Sequence, residues 1–468
     1  MRPVRFPSIL AGAFMLLWAL AASAAIPEEP LAVEPASFRI ETITVESTRE
    51  AAAGIIEAET LLKEGGTYDE DDLRQAVSRV HRLPFVLGAD FSLRKGSERG
   101  AYELVIQAHS ARWFFFDHGY QFARFDQLYA LDTNFGSNEY FNINQTGLIG
   151  ARVFLGRSGV LYGSFGLQQD SLNNESGGQV GYTRYDLLGR GIVANVSYAR
   201  HACCGTVVLP FGIDPNLAAW DWEEANQASL NLAIPMSAHR SLQFGWTERQ
   251  GESRQQHRVL LPSRFSNEVL FGGDQSFRRV DARWVQDTSD DPLLPSRGTV
   301  LSAGLAYASY EAEDLLVQSF SPTDPPTETP RPPFQGEQIL AELSGTRHWS
   351  VTPRQSVSAG GRVSFGQSRV TNLEVNEVLF AKTDLDVFGG SVSARHLLRL
   401  RSHREPGDFS DLYLETGATF GVEATSPDLE LRENPLERME LSTGITWRNQ
   451  WGRLRFIFTY LDLGEVLW

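Results

Sequence analysis

From Arg112 to its end this chain is dominated by one pattern, a two-residue alternation of apolar and polar side chains. In "RLRFIFTYL", Leu454, Phe456, Phe458 and Tyr460 fall on one side, and Arg453, Arg455 and Thr459 on the other. "QASLNLAI" sets Ala228, Leu230, Leu232 and Ile234 against Ser229 and Asn231. "SVSAGGRVSFG" sets Val357, Ala359, Val363 and Phe365 against Ser358, Arg362 and Ser364. A period of two belongs to strands, because successive Cβ atoms leave opposite faces of the pleat. Such runs follow one another between turn residues with no competing helical period. A soluble sandwich alternates too, but arginines in mid-strand need water on that face, and roughly 350 residues exceed one sandwich core. A closed barrel with a hydrated interior accommodates both facts, so the expected fold is mainly β: a transmembrane antiparallel β-barrel over 111–468.

Connection lengths point the same way. Short links such as "LGRSGV", "LLGRGI", "MSAHRS" and "TPRQ" alternate with long ones, including "HACCGTVVLPFGIDPNLAAWDWEE" and "SPTDPPTETPRPPFQGE". Exported barrels carry short periplasmic turns and longer outer loops. The corner "DTSDDPLLPSRG" falls in the short-turn series. There Pro292 and Pro295 stop the strands, Gly298 supplies permissive backbone, and Asp287 and Asp290 keep the turn in water, with Arg297 or the preceding domain within their reach.

Before the barrel the texture differs. Residues 1–24 read as a secretory signal: arginines, an apolar run from Ile9 to Ala22, then Ala22-Ser23-Ala24. The competing reading, a single membrane anchor, would need a run of about 20 residues. A linker over 25–37 leads to a small unit at 38–110. "FRIETITVE" reads as a strand, and "REAAAGIIEAETLLKEGG" as a helix with Ile55, Ile56, Ala58, Leu61 and Leu62 inward, closed by glycine. "TYDEDDLRQAVSRVHRL" is a second helix with acidic residues first and Leu73, Ala76, Val77 and Val80 on one side. "FVLGADFSLRKG" and "AYELVIQAH" complete a β-α-α-β-β domain.

The 42 Lys and Arg against 58 Asp and Glu leave a net charge of -16, with no basic excess for nucleic acid. Adjacent Cys203 and Cys204 fit a strained vicinal disulfide or two unbonded loop thiols. Neither hydrolase nor nucleotide motifs occur, and the nine histidines do not cluster with carboxylates, so no catalytic residue, cofactor or metal is expected.

Three stretches carry a resemblance. "DTSDDPLLPSRG" resembles the Asp-x-x-Asp-x-Pro-x-x-Pro-Thr-Arg-Gly turn of the BamA and TamA outer-membrane assembly superfamily, with Ser296 for Thr. "DVFGGSVSARHL" resembles the family's Gly-Gly-x-x-Ser-Val-Arg-Gly-Tyr segment at Gly389, Gly390, Ser393 and Arg395, while Ala394, His396 and Leu397 depart from it. "DLYLETGATFG" is similar to the Phe-x-Asp-x-Gly strand that follows, with Glu415 in the acid's place and Gly417 matching its glycine. "LLKEGGTYDEDDLRQAVSRVHRLPFV" looks like a POTRA domain. The resemblance implies about sixteen strands, where the alternation alone counts about fifteen. It also implies that "GGSVSARHL" folds into the lumen as a loop, and that Arg395 is held there by Glu415, a pair that suits bidentate geometry.

The function so implied is assistance to insertion or translocation of polypeptides at the bacterial outer membrane, through a seam between first and last strands. The partners the resemblance implies are outer-membrane lipids and client or cargo chains, with room for periplasmic or lipoprotein subunits. Alternatives are a secretion pore of the same superfamily and a structural porin or adhesin.

Overall fold

The computed structural model describes residues 37–126, 139–169, 174–208, 219–237, 239–255, 267–291, 294–312, 316–320, 327–330, 334–375, 378–405, 408–425 and 436–463. The expected signal and nearly all of the linker lie outside these, as does Pro292.

The N-terminal unit runs β1 (Phe38–Ser47), a 3-10 turn (Glu50–Ala52), α1 (Ala53–Thr60), β2 (Thr67–Tyr68), α2 (Glu70–His81), β3 (Val86–Lys95) and β4 (Ala101–Ser110). Its sheet order is β2-β1-β4-β3, with β1 and β4 parallel in the middle. This small α+β unit is POTRA-like, with the two-residue β2 added to the expected order. Asp69 caps α2 by accepting the Asp72 N–H at 2.8 Å, and the Asp72 carboxylate accepts the Asp69 N–H at 3.2 Å. The inward side of α2 carries Leu73, Ala76 and Val80, together with Arg79. One expectation needs correcting: α1 is closed by Leu61 itself, in the left-handed region at φ 58°, and not by a glycine. The residue therefore turns outward and stands exposed.

The wall comprises β5 (Phe114–Asp126), β6 (Glu139–Leu155), β7 (Gly159–Gln169), β8 (Asn174–Leu187), β9 (Ile192–Val208), β10 (Ala219–Ser237), β11 (Arg240–Gln255), β12 (Asn267–Asp287) and β13 (Gly298–Ala312). It continues through β16 (Phe334–Thr352), β17 (Gln355–Val375), β18 (Val378–Glu405), β19 (Asp408–Thr425), β20 (Leu436–Asn449) and β21 (Gly452–Leu463). A small hairpin, β14 (Leu316–Phe320) and β15 (Thr327–Pro330), extends β12 beyond the end of β13. The result is a closed barrel of 15 wall strands. Strands run further than read from sequence: β9 and β10 extend into the long link that holds Cys203 and Cys204, and β15 and β16 into the proline-rich one. The two thiols lie outside the described side chains.

The alternation sorts the two faces. Ile149, Val153, Phe165, Val196, Val280, Leu305, Ile339, Phe365, Phe420 and Phe458 stand exposed around the exterior. Trp113, Trp349, Trp447 and Trp451 are exposed at the rim nearest the N-terminal domain. Inside, Glu342 faces Arg362 at 2.6 Å and Arg283 at 3.9 Å, and Arg279 faces Asp281 at 3.3 Å. Charges that would be costly in hydrocarbon are thus paired across a polar interior.

Candidate functional site

Two places combine special backbone with charged side chains: the domain-side mouth of the barrel and the junction that closes its wall.

At the mouth, the β12–β13 turn is tied down by its own acids. Asp287 accepts the Ser289 N–H at 2.8 Å and hydroxyl at 2.6 Å; Asp290 accepts the backbone N–H of Ser296 at 2.8 Å and of Arg297 at 3.1 Å. Gly298 sits at φ +106°, where a β-carbon would lie 2.3 Å from the Thr288 carbonyl oxygen. Only glycine fits there. The Arg297 N–H, and not its guanidinium, is what meets an aspartate.

So shaped, the turn does not hang from the rim. Leu294 is buried against Leu397 of β18 and Tyr413 of β19, and the Pro295 carbonyl accepts the Ser356 hydroxyl at 3.3 Å. Asp291 meets Arg448, at the end of β20, at 3.0 Å with both side chains nearly buried. The turn therefore reaches across the opening to strands far around the wall. From the domain, α2 grips the same turn: Arg82 approaches the Asp287 carboxylate at 3.4 Å, His81 reaches the Asp290 carbonyl at 2.8 Å, and the Ser78 hydroxyl donates to the Ser289 carbonyl at 3.4 Å. On another side Phe85 packs edge-on against Phe154 and Tyr185, at the ends of β6 and β8. Leu87 clusters with Phe409 of β19. Contacts from the α2–β3 corner to points all around the rim place that corner over the mouth.

Electrostatics at this contact follow from burial. Glu59 pairs with Arg79 at 2.7 Å, and burial, opposed by Arg79, raises its pKa above the ordinary carboxylate value. Arg79 also donates to the Ser237 carbonyl, 3.3 Å away on β10. His239, in the β10–β11 turn, faces the Asp287 carbonyl at 3.1 Å; burial first, then the Arg82 guanidinium, lowers its pKa.

The expected inward loop is a strand. Gly389, Gly390, Ser393 and Arg395 belong to the 28-residue β18, paired on one side with β17 and on the other with β19. Across 389–397 both ladders are unbroken, and they satisfy the backbone groups that a loop in the lumen would leave unmade. The structure nevertheless brings Arg395 and Glu415 together, by a contact from Nη2 to Oε2. The contact runs through one oxygen, and not two as bidentate geometry would; the other carboxylate oxygen accepts the Thr446 hydroxyl at 2.8 Å. Asp291, Arg448, Leu294, His81, Arg82 and Arg79 were not singled out from sequence. Only the aspartate run in "DTSDDP" hinted at the first.

The junction joins β21 to β5, and it is parallel, from Gly452 opposite Phe116 to Asp462 opposite Asp126. Every other wall pairing among the described residues is antiparallel. Arg453 spans it to Asp117 with contacts of 3.3 and 2.5 Å, the Phe116 N–H donates to the Trp451 carbonyl at 2.9 Å, and Arg112 donates to the Gln450 side chain at 3.1 Å. A β-carbon on Gly452 would stand 1.7 Å from the Phe116 carbonyl oxygen, so the close approach requires glycine. Among the described residues no three His, Cys, Asp or Glu converge as a metal centre would require.

No family model and no curated protein matches the chain. Among solved structures, it is similar to BamA from Haemophilus ducreyi lacking POTRA domains 1–3, at 11% identity over 92% of this chain and 82% of that one, with a TM-score of 0.40. CdiB from Acinetobacter baumannii gives 11%, 90%, 74% and 0.38, and the siderophore receptor PiuA from the same organism 9%, 90%, 71% and 0.36. Likeness at these levels carries no argument about function.

Proposed function

We propose that this chain is a bacterial outer-membrane β-barrel that receives extended polypeptide segments at its β21–β5 seam and assists their insertion into or passage across the membrane, with the POTRA-like domain in the periplasm. The seam carries the reading. Among the described strands it is the one parallel junction of the wall, and parallel ladders are slightly weaker per residue than antiparallel ones. Opening it would present two rows of N–H and C=O groups to an incoming strand, a binding mode that needs no catalytic residue.

The apolar exterior and the exposed tryptophans on one rim support a membrane-spanning wall with that rim at an interface. The β12–β13 turn and the α2–β3 corner lie at the mouth, an arrangement that suits a chain handling polypeptides better than a plain conducting porin. In the domain, β3 is an edge of the sheet that could hold a segment by strand addition before it reaches the seam.

Depleting the chain from cells tests this. The expected result is accumulation of unassembled outer-membrane proteins in the periplasm. Normal assembly of every outer-membrane barrel, with loss only of small-solute uptake, would favour a porin and overturn the proposal.

A further inference from the structure

The seam's geometry also specifies its guest. Around a ring whose neighbouring strands alternate in direction, an odd number cannot close without one parallel junction, and the wall has 15 strands with that junction at β21–β5. One added strand, antiparallel to β5, is also antiparallel to β21, because β5 and β21 run the same way. An added hairpin restores a parallel junction at one edge or the other. A second copy in the same membrane orientation presents edges that run the same way as β5 and β21, and so meets them parallel.

A side chain adds chemistry. Arg455 lies beside the seam on the alternation that turns Arg453 inward, and its Nε is buried without a hydrogen-bond partner. The acids near it are already engaged: Asp117 by Arg453, and Glu415 by Arg395 and Thr446. Leu454, Phe456 and Phe458, on the other face, belong to the apolar exterior. A strand replacing the β5 edge beside β21 would have to continue that exterior with apolar residues, and it could offer the Arg455 Nε an acceptor.

Resting on the reading of the seam as the working edge, we infer that its guest is a single extended strand of another polypeptide. It enters antiparallel to both β5 and β21, alternates apolar and polar residues, and carries a carboxylate at the lumen position facing Arg455. The wall then has one strand more and is antiparallel throughout.

The test uses the full chain in phospholipid vesicles, with a photo-crosslinking residue at His118 on β5 or at Leu454 on β21, positions that face each other near the domain side. The probe is a synthetic alternating peptide with one central glutamate, offered alone or as a two-strand hairpin. The expected result is that the peptide's C-terminal half crosslinks to both positions, that the hairpin competes poorly, and that a peptide with leucine for the glutamate binds about tenfold more weakly. Arg455→Gln should abolish that preference while leaving the crosslinking polarity unchanged. Crosslinks of opposite polarity at the two edges, or better capture of the hairpin, would overturn the single-strand guest and leave the seam reading standing. Equal affinity for both peptides would overturn the role of Arg455. Absence of any seam crosslink, with depletion of the chain leaving barrel assembly normal, would remove the underlying reading as well.

Discussion

Gly298 and Asp291 show how differently two residues of one turn disclose themselves. The glycine is legible in sequence as turn backbone, and its φ of +106° with a 2.3 Å approach to Thr288 explains it. Gly298→Val should cost at least about 1–3 kcal/mol in strain, seen as a lower yield of heat-modifiable folded barrel on gels. Asp291 is one aspartate among several until the fold brings Arg448 to it from 157 residues away, a distance that no local pattern encodes. The two ion pairs therefore rank opposite to the sequence reading. Arg395→Ala, at a pair whose arginine side chain is 39% exposed, should cost about 1 kcal/mol or less. Asp291→Ala leaves Arg448 buried without its partner and should cost about 3–5 kcal/mol. Thermal midpoints of the two proteins in one detergent decide the order. His239 supplies a pH dependence. Burial and Arg82 lower its folded pKa below the ordinary value near 6.5, so its unfolded form binds more protons in that window. Stability should be complete above about pH 6.5 and fall as the pH drops below it, a slope that His239→Gln should flatten.

At the scale of elements, the strands of the wall were readable because each must keep one side in hydrocarbon and one in water. Arg453, Arg455 and Leu454, Phe456, Phe458 declare that division on their own. What was not readable was where strands end. The 28 residues of β18 absorb a segment expected as a loop, because the ladders on both sides satisfy its backbone regardless of its Gly-Gly start. Nor does alternation reveal direction of closure: the direct count of about fifteen strands implies a parallel junction only once the ends are known to meet. Gly452→Val should disturb that junction specifically, given the 1.7 Å approach to Phe116. The barrel's unfolding temperature is expected to fall by several degrees while protease protection of the Phe38–Ser110 unit stays unchanged.

For the whole molecule, the domain and the barrel are joined by a contact that neither half predicts alone. The core of the small unit continues through Phe85 into Phe154 and Tyr185 of the wall, so the corner over the mouth is fastened by packing as well as by ion pairs. Phe85→Ala should weaken this docking by about 3–5 kcal/mol and make the α2–β3 corner accessible to protease in intact vesicles. A seam that opens to receive a strand is the central claim, and locking the seam tests it most directly. His118→Cys combined with Leu454→Cys places two thiols at facing positions across β5 and β21. The account predicts that the oxidised protein remains a folded barrel, that assembly of client barrels in vesicles stalls, and that reductant restores it. Assembly at the full rate with the seam quantitatively crosslinked would contradict it.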